Sequence, residues 1–171
     1  MITTTQTNPL IQHWKTRRID VQRPSWHRFF LGLAYEIAKR SPDAQTQCGC
    51  VIVDSNKHII STGYNGWIKN IDNSILPNLR PEKYPFMLHA ELNAILNTTT
   101  TLKNSIVYVT GHPCVHCFQC LYQVGISTII YGPNKIHMLN EEQDILLQIL
   151  KDLTKHQIKV LTIEEVEKND I

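Results

Sequence analysis

Apolar positions along this chain alternate between two spacings, one helical and one extended. Over residues 26–37 they recur every three or four positions (Trp26, Phe29, Phe30, Leu33, Ile37), which predicts a helix with a core-packing face, stopped at Ser41-Pro42. His27 on that helix reads as a surface or capping histidine. Two shorter apolar runs follow, 48–54 and 58–62, joined by Asp54-Ser55-Asn56-Lys57, and together they predict a β-hairpin. Within the first run Cys48 and Cys50 are expected to face opposite layers, one of them buried, both structural. Farther on, residues 89–96 read as a helix, 105–110 as a short buried strand and 114–124 as a helix stopped by Gly125. A strand at 127–131, an amphipathic helix at 141–153 and a last strand at 158–162 complete the pattern. Strands alternating with helices predict an α/β layered domain.

Two stretches fall outside that periodicity. Residues 1–23 begin threonine-rich, carry Lys15, Arg17 and Arg18, and show no apolar repeat, so they read as a flexible N-terminal arm. Residues 24–171 read as one domain without internal repeats. The polar connection 67–88, punctuated by Pro77, Pro81 and Pro85, is long for a compact domain. Standing just before His89, it is expected to cover or line a site.

Composition narrows the classes. The chain has 171 residues, enough for one domain with a sizeable core, and a formal net charge of +2. That balance makes no electrostatic case for a dedicated nucleic-acid binder. Neither a membrane-spanning apolar run nor a signal-peptide core follows Met1. The five cysteines are an odd number, and Cys114, Cys117 and Cys120 crowd one segment. A disulfide framework is disfavoured, and a reduced, cytoplasmic setting is expected.

The candidate chemistry lies in His89-Ala90-Glu91 and in Pro113-Cys114-Val115-His116-Cys117. Cysteines three apart on one helical turn face the same way and can grip one ion. His89 supplies a nitrogen, and zinc favours such a mixed N and S set. Three protein ligands leave a fourth position for water, as in catalytic sites. Pro113 suits the first turn of a helix beginning at Cys114, whose N-terminus lowers thiol pKa values. His89 and Glu91 are only two apart, so both point inward only if His89 stands at the helix entry. A structural four-ligand zinc completed by Cys120 is the rival. Cys120 lies about 120° round the helix and about 9 Å along it from Cys114, and reads better as a small buried hydrophobe. His112 and His116 are the other possible fourth ligands, with His116 on the wrong face. The whole pattern is the signature of zinc nucleobase deaminases, in which hydroxide attacks the amine-bearing ring carbon and Glu91 carries protons.

A more particular resemblance rests on several segments. These are Trp26…Phe29-Phe30, Ala38-Lys39-Arg40-Ser41, Gly49…Val51-Ile52-Val53, Ser61-Thr62-Gly63-Tyr64-Asn65-Gly66, His89-Ala90-Glu91-Leu92-Asn93-Ala94-Ile95-Leu96 and Tyr108-Val109-Thr110…Pro113-Cys114…Cys117. Over roughly residues 24–135 the chain resembles the deoxycytidylate (dCMP) deaminases. The resemblance implies a three-layer α/β/α sandwich with a mixed five-stranded sheet, and hydrolysis of dCMP to dUMP and ammonia, which feeds dTMP synthesis. It implies a homohexamer activated by dCTP and inhibited by dTTP, with Mg2+ accompanying the triphosphate and no nucleic-acid or membrane partner. It places Asn65 near the substrate's sugar hydroxyl, with Ala90 and Tyr131 as further substrate contacts, and Gly63, Tyr64 and Gly66 at the effector. The phosphate-binding residues are not identified; Tyr131, Lys135 and Arg80 are candidates. The chain departs from the family's usual pattern at Cys48-Gly49-Cys50, in the threonine run at 98–101, and in a 67–88 connection without an extra Cys/His cluster.

Two other readings stand beside this one. A deaminase acting on tRNA or single-stranded DNA needs a basic, aromatic channel, for which Arg80, Lys83, Tyr84 and Phe86 are the candidates, diluted by Asp72 and Glu82. A non-catalytic zinc-stabilised binding module requires Glu91 to be incidental.

Overall fold

One five-stranded sheet, in the order β2-β1-β3-β4-β5, runs through the molecule. A computed structural model describes residues 8–72, 74–134, 141–155 and 157–169. The strands are β1 (Gly49–Val53), β2 (Ile59–Tyr64), β3 (Ile106–Gly111), β4 (Thr128–Asn134) and β5 (Lys159–Thr162). β1 is antiparallel to both β2 and β3, whereas β3, β4 and β5 are mutually parallel, so the sheet is mixed. Helices α1 (Pro9–Thr16), α2 (Trp26–Ala38), α3 (Ala90–Leu96), α4 (Val115–Gln123), α5 (Glu141–Leu153) and α6 (Ile163–Asn169) accompany it, with a 3-10 turn at Tyr84–Phe86.

Alternation along the strands divides the core in two, because successive side chains point to opposite faces. On one face Cys50, Ile52, Val107, Val109 and Ile129 meet Ala90 and Ala94 of α3, Phe118 and Leu121 of α4 and Leu147 of α5. On the other, Val51, Val53, Tyr108 and Ile130 meet Phe30, Leu31 and Ala34 of α2 and Ile163 and Val166 of α6. This is the three-layer α/β/α sandwich. Every residue of β1 is buried, as a strand covered on both faces must be.

Cys48 and Cys50 depart from expectation. Residues two apart on a strand share a face, so both sulfurs join the α3–α4 layer, and both are buried (9% and 0% exposed). His27 neither caps α2 nor lies free at the surface. Ser25 is the cap, accepting from the Arg28 N–H, and His27 Nδ1 lies 2.8 Å from the Tyr108 hydroxyl.

Two helices lie outside the predicted elements. α1 starts at Asn8-Pro9, where the Asn8 side chain accepts from the Leu10 N–H and proline takes the first helical position. None of its residues is buried, which is why it leaves no apolar repeat. α6 starts from a reciprocal capping box: Glu165 accepts from the Thr162 N–H (2.7 Å) and the Thr162 hydroxyl accepts from the Glu165 N–H (3.1 Å).

Candidate active site

Two helix entries converge on one spot beside the sheet. His89 is the N-cap of α3, with extended backbone (φ −70°, ψ 155°), and Glu91 lies in the first turn, 3% exposed. The non-helical entry lets residues only two apart serve one site. Cys114 caps α4, likewise extended (φ −74°, ψ 165°), and its Sγ accepts from the Cys117 N–H at 3.4 Å. Pro113 therefore stands one residue before the cap, not in the first helical turn. The two cysteines meet as a cap and the third helical residue, the pairing in which a cap side chain reaches into the first turn.

His89 Nδ1 lies 3.5 Å from Cys114 Sγ and 3.3 Å from Cys117 Sγ, and the three ligand atoms fall within 4.8 Å of one another. Tetrahedral zinc with bonds of about 2.0 Å to nitrogen and about 2.3 Å to sulfur sets neighbouring ligands about 3.5 Å apart. The cluster fits that ion. Among the described residues no fourth His, Cys, Asp or Glu joins it. Cys120 is half-buried, less enclosed than expected, His116 is exposed, and the partly buried His112 stacks edge-on against Tyr131 with ring centres 4.7 Å apart.

A narrow cavity opens beside the cluster. His89, Ala90 and Glu91 line it from α3, Cys48 and Asn65 from the ends of the hairpin strands, and Arg80, Lys83, Tyr84 and Met87 from the 67–88 connection. That connection thus lines the site, as its position suggested. Asn65 is buried and held on three sides: its Oδ1 accepts from the Cys48 N–H (2.7 Å), and its Nδ2 donates to the Thr46 carbonyl (2.9 Å) and Asp43 Oδ2 (3.2 Å). Asp43 Oδ1 also accepts from the Gln45 and Thr46 N–H groups and from Lys83, in an ion pair whose side chains are 4% and 3% exposed.

Burial and neighbours set the proton balance. Burial pushes the Glu91 carboxyl above its ordinary range. The Cys117 thiol, donating to Cys114, pulls Cys114 down to about 4, with His89 assisting; Cys117, which keeps that proton, is pushed up. The Cys114 thiolate in turn raises His89. Cys48 rises to about 11, first from burial and then from the Glu91 charge, so it forms a neutral wall.

Residues 24–133 match the family model of the cytidine and deoxycytidylate deaminase zinc-binding region. The chain belongs to this deaminase family. It is 37% identical over 123 residues to the deoxycytidylate deaminase of Homo sapiens, covering 68% of this chain and 69% of the human protein. To that of Mus musculus it is 35% identical over 119 residues, covering 66% and 67%. In fold it is similar to the crystal structure of dCMP deaminase from cyanophage S-TIM5 in complex with dCMP and dUMP. The TM-score is 0.66 at 22% identity, over 84% of this chain and all of that one.

Elsewhere in this deaminase the sequence candidates take separate places. A Cβ at Gly63 would lie 2.3 Å from both the Ala90 carbonyl oxygen and the Ala94 nitrogen, so its bare backbone lets α3 pack down on β2. Gly66 bridges Leu88 through two backbone hydrogen bonds (3.0 and 2.8 Å), fastening the chain just ahead of His89. Tyr64 lines a second cavity with Arg40, Trp67, Lys69, Asn93 and Asn97. Tyr131, on β4, is not among the residues lining the Glu91 cavity, and Lys135 lies outside the described residues. The sequence reading missed Asp43, Thr46 and the buried role of Lys83; the turn-forming Ser41-Pro42-Asp43 was its only local trace. Among the described residues, no helix is long and apolar enough to cross a membrane.

Proposed function

We propose that this protein hydrolyses dCMP to dUMP and ammonia, with His89, Cys114 and Cys117 holding zinc and Glu91 moving the protons. The observation that carries this is a buried carboxyl, Glu91, that lines one cavity together with His89 of the three-residue N/S cluster.

Bound zinc supplies Lewis acidity that brings the pKa of water towards neutrality. Asn65, with both N–H groups already donated, presents only acceptor capacity on Oδ1 and orients a sugar hydroxyl. Ala90, fully buried at the cavity wall, leaves room for the base beside Glu91. Glu91, raised by burial, takes a proton from the attacking water and passes it to the ring nitrogen. It then moves the second proton from the new hydroxyl to the exocyclic amine, which leaves as ammonia while the carbonyl forms. Water and dCMP are thereby converted to dUMP and ammonia, with one carboxyl acting as base and then as acid.

The reading extends to regulation. dCTP activates and dTTP inhibits, each with Mg2+, through the second cavity, where Arg40 and Lys69 offer positive charge beside Tyr64. Asn93 of α3 donates to the Tyr64 carbonyl (2.9 Å), linking that cavity to the Glu91 helix. In this reading residues 24–171 form the deaminase domain of a cytoplasmic homohexamer that supplies dUMP for dTMP synthesis, with Tyr131 as a further substrate contact and Gly66 at the effector.

The test is ammonia release from zinc-loaded protein given dCMP, with and without dCTP or dTTP. Turnover that rises with dCTP and falls with dTTP is expected. Turnover unaffected by either keeps the enzyme and removes the effector reading, whereas no turnover of dCMP overturns the function.

A further inference from the structure

Two helices hold apolar ridges out to solvent. On α1, Leu10 and Trp14 stand four residues apart and so share a face, 60% and 62% exposed. On α5, Ile145, Ile149 and Leu153 repeat that spacing, 61%, 47% and 73% exposed. α5 turns another side inward, where Leu147 is buried in the core. Single exposed apolar residues are ordinary, but a ridge along a helix is what a second helix packs against. In its own chain α1 leads into α2, which packs on the opposite face of the sheet from α5, and none of the α1 residues is buried.

The flanks are opposite in charge. α1 carries Lys15 and runs on into Arg17, whereas α5 opens with Glu141, Glu142 and Asp144, all exposed. We propose that α1 of one copy of this chain docks antiparallel along the outward face of α5 of a second copy. Trp14 then lies beside Ile145 and Leu10 beside Ile149, and Lys15 and Arg17 reach the acidic first turn of α5. The parallel register would carry the same cations to Lys151 and Lys155 instead. A two-fold axis repeats the contact, each copy giving its arm and receiving the other's. Repetition is needed, because one helix of eight residues, about 12 Å long, buries too little to hold two copies together. None of these residues lines the Glu91 cavity, so the contact stands whether or not the protein deaminates dCMP.

The test cross-links two full-length, zinc-loaded chains, one carrying His13→Cys on α1 and the other Gln148→Cys on α5. Both are made in a Cys120→Ser background, which removes the one cysteine that is not buried. His13 and Gln148 stand beside the ridges, and the antiparallel register puts them on one side of the contact. All the positions substituted on α1 and α5 are exposed, so the fold is left alone. Mixed at low salt and treated with a short bismaleimide, the chains are expected to give a dimer linked between the two cysteines. Trp14→Ser in the arm-bearing chain lowers the rate of linkage about tenfold or more, the loss of an anchoring tryptophan. Lys15→Glu with Arg17→Glu also lowers it, and Glu141→Lys with Glu142→Lys in the other chain restores it. Absence of the linked dimer, linkage indifferent to Trp14→Ser, or a charge reversal that the reversed α5 does not rescue overturns the docking. So does linkage within one chain that carries both cysteines. Sedimentation of the wild type with phosphatidylserine vesicles, without linkage between chains, overturns it in favour of a membrane surface.

Discussion

The Ala90 carbonyl oxygen lies where a Cβ on Gly63 would have to go, at 2.3 Å. The same phantom carbon meets the Ala94 nitrogen at 2.3 Å, so two points of α3 rest on one glycine of β2. Gly63→Ala must push back backbone, which cannot rotate away. It is expected to cost about 3 kcal/mol, the upper range for overpacking. Because α3 carries Glu91 and is capped by His89, turnover falls with stability. Thermal melting with a kcat measurement on the soluble fraction checks both; a wild-type melting temperature would sink the close-packing account.

Zinc content separates the three ligands from the other thiols. His89→Ala, Cys114→Ser and Cys117→Ser are each expected to lose bound zinc and deamination together. Cys120→Ser keeps both, since Cys120 stands outside the cluster. Elemental analysis of purified variants reads this directly. A strong chelator abolishes turnover in the wild type, and added zinc restores it.

Glu91→Gln is expected to lower turnover by about 10² to 10⁴, the share supplied by positioned proton transfer, while zinc stays bound. Its effect on stability has the opposite sign. Burial raises the folded-state pKa of Glu91 above the unfolded value. The carboxyl's contribution is therefore most favourable below about pH 4.3, its unfolded value, and is lost as pH rises through the raised folded value. Metal-free Glu91→Gln should melt above metal-free wild type at pH 8, with the gap closing towards pH 4. A gap of constant size across that window would contradict the burial account.

The Asp43–Lys83 pair is nearly anhydrous, so removing one member strands the other. Lys83→Met is expected to cost about 3–5 kcal/mol. Asp43→Asn also releases the Asn65 amide, which Asp43 holds at 3.2 Å, so KM for dCMP should rise in that variant. Denaturant unfolding and steady-state kinetics on each variant measure the two effects.

How much was legible in the sequence depended on range. The grouping of His89, Cys114 and Cys117 into a cluster that fits zinc, with Glu91 beside it, could be read because each sits within three residues of a partner and at a helix entry marked by local signals. Even there the spacing alone put Pro113 one place too far into the helix, since a cap and a first-turn residue look alike without backbone angles. The threonine of the α6 capping box lies three residues before Glu165, yet a helix with two apolar anchors, Ile163 and Val166, offers too little periodicity to announce itself.

By itself, then, the sequence determined the alternation of strands and helices, and the N/S cluster with its carboxyl neighbour, because these follow from periodicity and short-range spacing. Only the tertiary structure decided that Cys48 and Cys50 share the α3 face, that Asp43 finds Lys83 forty residues away, and that Arg80 faces the same cavity as Asn65. A buried polar group must find its partner wherever folding brings one, and no local pattern in the chain records which distant segment that will be.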